Sequence, residues 1–292
     1  SNNVPSISKS TVSITDQSIM LNLQNLLASV ARISEQAGQA IMAIYAQPEQ
    51  WQLQHKEDKS PLTADDLASH HLIIEQLHAL TPDIPVVSEE SDEAPQRHTW
   101  SQLWLVDPLD GTKEFVARTG DFTVNIALVL NHRAVLGVLH APDYGLTYMA
   151  AKGCGAWVLN HTGQTQRLST VKQPSSPRLL VSRFHANGKK NQALLQHTQQ
   201  CFGDYQVMEV GSALKMCRIA EGLADFYPRF GTTMEWDTAA GQIILEEAGG
   251  ALVDTQGRPF LYNKRSSLAN KDFIVVGDIA HTQDWLTCLL RC

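Results

Sequence analysis

The sequence predicts an α+β first half joined to an α/β second half, on three observations: a helical stripe near the N-terminus, closely spaced apolar strands in the middle, and strands alternating with helices thereafter. From Leu21 to Tyr45 the residues Leu23, Leu26, Leu27, Val30, Ile33, Ala37, Ile41 and Ile44 recur at intervals of three and four, the apolar face of an amphipathic helix. Thr63 can cap a second helix whose inner face carries Leu67, Ile74 and Leu77 and which ends before Pro82. Short strands are expected at Pro85 to Val87 and Leu103 to Val106, then at Thr123 to Leu130, Val135 to His140 and Thr147 to Ala151. Asn131-His132 and Pro142-Asp143 separate the last three, the pattern of an antiparallel meander.

Near Pro174 to Pro177 the chain turns loop-like, and beyond it strands (Leu179 to Ser182, Gln206 to Val210, Asp225 to Tyr227, Ala251 to Asp254, Phe273 to Gly277) alternate with helices (Asn191 to Cys201, Ser212 to Leu223, Trp236 to Ala248). The expected organisation is a disordered leader over residues 1–19, an α+β metal-binding domain over 20–175 and an α/β substrate-recognition domain over 176–292. The leader is rich in Ser, Thr and Asn and has neither a basic start nor an apolar centre, so it does not read as a secretory signal.

Composition narrows the function classes. The chain has 292 residues with a net charge of -7, against the broad basic surface that polymeric nucleic acid requires. A small phosphorylated ligand stays compatible, because bound cations reverse the local potential. The 5 cysteines are odd in number and form no Cys-x-x-Cys pair, so they read as reduced cytoplasmic thiols rather than a disulfide framework or a zinc knuckle. No apolar run approaches the roughly 18 residues of a membrane helix. Gly188-Lys189-Lys190 lacks the glycine-rich lead of a P-loop, His70-His71 lacks a zincin glutamate, and no Gly-x-Ser-x-Gly elbow occurs.

The chemistry concentrates in three acidic segments. In Trp104-Leu105-Val106-Asp107-Pro108-Leu109-Asp110-Gly111-Thr112-Lys113-Glu114-Phe115 an apolar strand is expected to end at Asp107, with Pro108 stopping further pairing and Gly111 allowing a turn after Asp110. Two carboxylates aimed at one point suit Mg²⁺, a hard ion that keeps waters to share with phosphate, and the Leu109 carbonyl could add a neutral ligand. The Gly111 and Thr112 N–H groups open the next element and could receive phosphate oxygens. Val86-Val87-Ser88-Glu89-Glu90-Ser91 places two acids after another strand, readable also as surface charges. In Glu235-Trp236-Asp237-Thr238-Ala239-Ala240-Gly241, Asp237 stands where a helix begins, readable also as an N-cap.

Together these segments, followed by Glu246-Glu247-Ala248-Gly249-Gly250, resemble the signatures of the inositol monophosphatase superfamily, in family order and from about Leu21 to the C-terminus. The resemblance implies a layered α/β/α/β/α sandwich and a phosphomonoesterase using two or three Mg²⁺ ions. It makes Glu89, Asp107, the Leu109 carbonyl, Asp110 and Asp237 the metal ligands. It pairs Asp66 with Thr112 to orient the attacking water, although Thr63-x-x-Asp66 also reads as a capping box. It implies metal-activated water without a covalent phosphoenzyme, and inhibition by lithium.

Leu180-Val181-Ser182-Arg183-Phe184-His185, Gly211-Ser212-Ala213-Leu214-Lys215 and Tyr227-Pro228-Arg229-Phe230-Gly231 resemble the 3'(2'),5'-bisphosphate nucleotidases within that superfamily. Inositol enzymes carry an acid near the Arg229 position, whereas an arginine there offers a donor fork for a second phosphate. His185, Ser212, Lys215 and Arg229 are thereby implied to bind substrate, together with Leu109, Asp110, Gly111, Thr112 and Asp237. The implied substrate is adenosine 3',5'-bisphosphate, cleaved to AMP in sulfur metabolism, with 3'-phosphoadenosine 5'-phosphosulfate second. Competing readings are an inositol monophosphatase, a sugar bisphosphatase, or a non-catalytic nucleotide sensor. Either a monomer or a homodimer is compatible with the sequence.

Overall fold

A computed structural model describes residues 14–47, 54–55, 61–62, 64–91, 94–184 and 189–289. Helix α1 (Ile14–Tyr45) is followed by a two-residue pair, β1 (Gln54–His55) and β2 (Pro61–Leu62), and by α2 (Ala64–Leu80). Then come β3 (Val86–Ser88), β4 (Gln102–Asp110), the single-turn helix α3 (Thr112–Val116), β5 (Thr123–Leu130), β6 (Arg133–Ala141), β7 (Leu146–Ala151), β8 (Ala156–Asn160) and β9 (Thr165–Arg167). The second half contains β10 (Arg178–Ser182), α4 (Lys189–Phe202), β11 (Gln206–Val210), α5 (Leu214–Ala220), β12 (Phe226–Arg229), α6 (Glu235–Ala248), β13 (Ala251–Asp254), β14 (Phe273–Val276) and α7 (Thr282–Leu289).

Strands β3 to β9 form a 7-stranded sheet in chain order, antiparallel except for the parallel β3–β4 edge pair. The second sheet has 5 strands in the order β11-β10-β12-β14-β13, with β10 parallel to both neighbours and β14 antiparallel to both of its own. Alternation along β4 explains how the large sheet acquires two buried faces. Trp104 and Val106 pack with Val30, Ile41, Ile73 and Leu77 of α1 and α2, while Leu103 and Leu105 join Ile243 and Ile244 of α6.

The cluster on the α6 side continues through Met216 and Ile219 of α5 to Tyr227, Phe273 and Val275 of the second sheet. The far face of that sheet packs Phe226 and Ile274 on Leu194 of α4 and on Trp285 of α7, whose ring stacks on Phe226 at 3.8 Å. The layers are therefore α1/α2, large sheet, α5/α6, small sheet and α4/α7, the sandwich that the resemblance implied. Helix α6 lies between the sheets, and Gly137 of β6 allows its approach. A Cβ there would come within 2.5 Å of Ile243 and 2.6 Å of the Ala240 carbonyl.

Three local expectations change. Helix α1 begins at Ile14 rather than near Leu21, because Ile14 to Met20 contain no Pro or Gly to oppose the helix. Strand β4 does not stop at Pro108. Its register with β5 shifts between Asp107↔Asn125 and Asp110↔Thr123, so one extra residue bulges out where proline lacks an N–H and pairing resumes at Asp110. Strands β8 and β9 and helix α7 were not foreseen. Among the described residues, Cys154, Cys201, Cys217 and Cys288 are all thiols, and no helix is long and apolar enough to cross a membrane.

Between α1 and the large sheet, His140 is buried. Its Nδ1 lies 3.0 Å from Thr147 Oγ1, and that hydroxyl donates to Glu35 Oε1 at 3.0 Å, so Nδ1 carries the proton it donates to Thr147. Burial pushes the imidazole from its ordinary 6.5 down to about 4. Below 6.5 the unfolded chain takes up a proton that the folded chain refuses until about 4, so stability falls as pH falls through this window. In His140→Asn, which keeps a donor toward Thr147, urea denaturation is expected to show a loss between about pH 7 and about pH 4.5 smaller by about 2 kcal/mol than in the parent.

Candidate active site

The end of β4, the ends of β10 and β12 and the start of α6 border one cavity. The bulge in β4 turns Asp107 and Asp110 toward the same region, and α2 fixes it through Ser69 Oγ, which donates to the Pro108 carbonyl at 3.0 Å. Asp107 is 2 % exposed, and its Oδ1 accepts the Leu109 N–H at 3.0 Å. Asp110 Oδ2 accepts the Ala213 N–H from the turn before α5, and Asn125 Nδ2 at 3.5 Å. Glu89 follows β3 directly, its N–H donating to the Val106 carbonyl at 3.1 Å.

Asp237 is the third residue of α6 rather than its N-cap. Its Oδ2 accepts the Met234 N–H at 2.8 Å, the reciprocal bond of a capping box. Glu235, two residues earlier and fully buried, turns instead to the Asn263 N–H and to Arg265. The neighbouring acids of this motif therefore have different tasks.

These carboxylates feel one another. Burial, then Glu89, Asp110 and Asp237, push Asp107 well above the usual carboxylate range. Burial followed by Asp110 and Glu89 does the same to Asp237 against the Met234 N–H. Asp110 is raised by burial even though Lys215, the Ala213 N–H, Asn125 and Arg229 pull it down. Glu90 belongs elsewhere: its charge opposes the downward push that burial and His71 exert on His70, whose Nδ1 lies 2.9 Å from Ser88 Oγ.

An all-oxygen set of carboxylates with an adjacent backbone carbonyl matches the preference of a hard divalent cation and offers nothing to a soft one. The Asn125 Oδ1, buried and without a hydrogen-bond partner among the described residues, adds an oxygen beside Asp110. Among those residues no group of three or more His, Cys, Asp or Glu already stands at metal-ligating spacing, so these acids must draw together or share waters to hold a cation. The residues fit Mg²⁺ by donor chemistry.

Beside the acids lies a cavity of about 110 Å³ lined by Asp110, Gly111, Ser212, Lys215, Arg229 and Asp237, among others. Lys215 is buried and donates to the Val210 and Ser212 carbonyls, with Nζ 5.2 Å from the Tyr227 ring centre. Burial lowers its ammonium from 10.5 to about 8 against the pull of Asp110. Arg229 Nη2 donates to the Thr232 carbonyl at 3.1 Å, while its buried Nε has no partner among the described residues.

Gly111 adopts the left-handed conformation at φ 93°, as the turn after Asp110 required. Thr112 Oγ1 reaches the Leu109 carbonyl at 3.4 Å. Asp66 belongs to α2, but its side chain lies outside the described residues, as does His185.

Other groups at this site escaped the sequence reading. Glu114 also lines the cavity, its carboxyl raised by burial and by Asp110. Its only signal was a position four residues after Asp110. Asp121, which binds Arg183 at 2.9 Å and the Gly211 N–H at 2.9 Å, had none.

The model of the "Inositol monophosphatase family" matches residues 22–286. The chain is 44% identical over 251 residues to the 3'(2'),5'-bisphosphate nucleotidase CysQ of Salmonella typhimurium, covering 86% of this chain and 99% of that one. It is 36% identical over 271 residues to the protein of the same name from Haemophilus influenzae, covering 91% and 97%. The solved structure of CysQ from Bacteroides thetaiotaomicron superposes with a TM-score of 0.77 at 34% identity over 88% of this chain and 98% of that one. An IMPase of Thermotoga maritima, at 23% identity, shares the fold with a TM-score of 0.74 over 91% and 97%. With its acidic segments, its layered architecture and a family match over nearly its whole length, the chain belongs to the inositol monophosphatase family.

Proposed function

We propose that the chain is a Mg²⁺-dependent 3'(2'),5'-bisphosphate nucleotidase that hydrolyses adenosine 3',5'-bisphosphate to AMP and phosphate, with 3'-phosphoadenosine 5'-phosphosulfate as a second substrate. One observation carries the reading: a single cavity is bordered by Asp110 and Asp237 of the acidic cluster and by the cations Lys215 and Arg229. A monophosphate needs the first pair; a second phosphate gives the other pair its purpose. Similarity to curated bisphosphate nucleotidases supports the choice of substrate.

In this reading Glu89, Asp107, the Leu109 carbonyl, Asp110 and Asp237 hold two or three ions, which supply Lewis-acid polarisation of the phosphoryl group and offset the clustered negative charge. The Gly111 and Thr112 N–H groups orient the phosphoryl oxygens, and the Thr112 hydroxyl, with Asp66, orients the attacking water. Water contributes the oxygen of the new P–O bond, the bond to the ribose 3'-oxygen breaks, and that oxygen leaves as an alcohol after taking a proton. Ser212, Lys215, Arg229 and His185 hold the remaining phosphate and the nucleoside.

The direct test incubates the chain with adenosine 3',5'-bisphosphate and separates the products. AMP and phosphate in equal amounts are expected with Mg²⁺ and neither with a chelator. Absence of AMP despite Mg²⁺ would refute the assignment.

A further inference from the structure

Asp121 stands at the entrance to β5, where the two sheets meet beside the cavity. It is buried, and its carboxylate gathers donors from three distant parts of the chain. Tyr144 donates to Oδ1 at 2.7 Å, while Arg183, just past β10, and the Gly211 N–H, just past β11, both donate to Oδ2 at 2.9 Å. Burial pushes this carboxyl up, but Arg183, Tyr144 and Gly211 outweigh it and hold the group below the ordinary carboxylate range.

Two glycines of the site close on this residue. A Cβ at Gly211 would come within 2.7 Å of Asp121 Cβ and 2.4 Å of Glu114 Cγ. At Gly111, in the turn after Asp110, it would lie 3.1 Å from the Asp121 carbonyl and 3.2 Å from Ser212 Cβ. The turn that follows Gly211 is itself constrained. Ser212 has φ 45°, a left-handed conformation that a serine holds only when its surroundings impose it. Immediately beyond, the Ala213 N–H meets Asp110 and the Ser212 carbonyl receives Lys215 Nζ.

We propose that Asp121 is a positioning residue: by holding Arg183, Tyr144 and the Gly211 N–H together, it fixes the Gly211 to Lys215 turn so that Lys215 and Ser212 face the second phosphate of a bisphosphate substrate. The substrate named here rests on the nucleotidase reading. Asp121 itself touches neither the reacting phosphoryl group nor the nucleoside in this account, and acts through the turn. A purely architectural tie would change stability and leave discrimination between one phosphate and two untouched.

The test uses the full chain and compares Asp121→Ala with Asp121→Asn. In the asparagine variant the amide oxygen can keep the Arg183 and Gly211 contacts while its amino group faces the Tyr144 oxygen. Binding of adenosine 3',5'-bisphosphate is measured by calorimetry in EDTA, and KM is measured with Mg²⁺ for this ester and for adenosine 3'-monophosphate. Asp121→Ala is expected to weaken bisphosphate binding about tenfold or more, Asp121→Asn to restore it to within about threefold of the parent, and the monophosphate KM to change less than about twofold.

A folded Asp121→Ala that binds the bisphosphate as well as the parent, or one that loses both nucleotides by the same factor, overturns the role. If Asp121→Ala does not fold, Tyr144→Phe and Arg183→Met each remove one donor and should weaken the bisphosphate alone by about threefold. No selective change in either overturns the proposal. A parent chain that neither binds the bisphosphate nor turns it over with Mg²⁺ overturns both the nucleotidase reading and this role, whereas a parent that turns it over, with unaffected variants, overturns the role alone.

Discussion

Asp110→Asn is expected to lower kcat/KM for adenosine 3',5'-bisphosphate by about three orders of magnitude, roughly 4 kcal/mol of transition-state stabilisation. The isosteric amide oxygen can keep the Ala213 N–H and Asn125 contacts now made by Asp110 Oδ2. What disappears is one negative charge from a set whose members push one another up. Without metal the variant should therefore melt no lower than the parent, since a charge that burial disfavours has been removed. Phosphate release measured across a Mg²⁺ titration, with thermal melting in EDTA, checks both halves. Turnover within about tenfold of the parent at saturating Mg²⁺ would remove Asp110 from the metal centre.

Arg229→Gln should raise KM for adenosine 3',5'-bisphosphate about 30-fold to 100-fold, the consequence of losing a charge-assisted donor fork at a partly desolvated phosphate. The Arg229 side chain lines the cavity beside Asp110, Lys215 and Asp237, where its guanidinium can meet an anion. Glutamine is preferred to glutamate as the replacement because a new acid would also repel Asp110 and Asp237, on both of which the Arg229 charge acts. Adenosine 3'-monophosphate should lose less than about threefold, and the Mg²⁺ concentration for half-maximal turnover should hold within a similar factor. Equal losses for both nucleotides would mean that Arg229 supports the acids rather than the second phosphate.

Each acid follows a local signal, a strand end before Glu89, a proline-interrupted strand around Asp107 and Asp110, and a helix start at Asp237, but only the combined family pattern singles them out. What a linear reading misjudged was backbone continuity. Pro108 reads as a stop, yet one missing N–H is accommodated by a bulge that aims both aspartates at the site. In the sequence Glu89 and Glu90 are told apart only by the family resemblance; in three dimensions Glu89 acts on Asp107 and Asp237 while Glu90 acts on His70. The ties of Asp121 to Arg183 and Gly211 were invisible for a different reason: 62 positions separate the first pair and 90 the second. No periodicity spans such intervals.

The same distinction holds for the fold. Strands β4 to β7 are largely apolar, β5 and β6 rich in valine or isoleucine, with turn residues between β5, β6 and β7, and the sequence declares them. Strand β9 is exposed throughout and carries only Thr165, Gln166 and Arg167, so pairing with β8, not burial, makes it a strand. Helix α7 is short, and its reason for existing is Trp285, which stacks on Phe226 from a strand far earlier in the chain.

The central claim is a substrate with two phosphates, presented to an acidic centre by Lys215 and Arg229. It is tested most directly by comparing kcat/KM for adenosine 3',5'-bisphosphate and for inositol 1-phosphate on the same preparation with Mg²⁺. The nucleotide should be favoured by about a hundredfold or more, because the inositol ester leaves both cations without an anion to bind. A preference for inositol 1-phosphate would contradict the account.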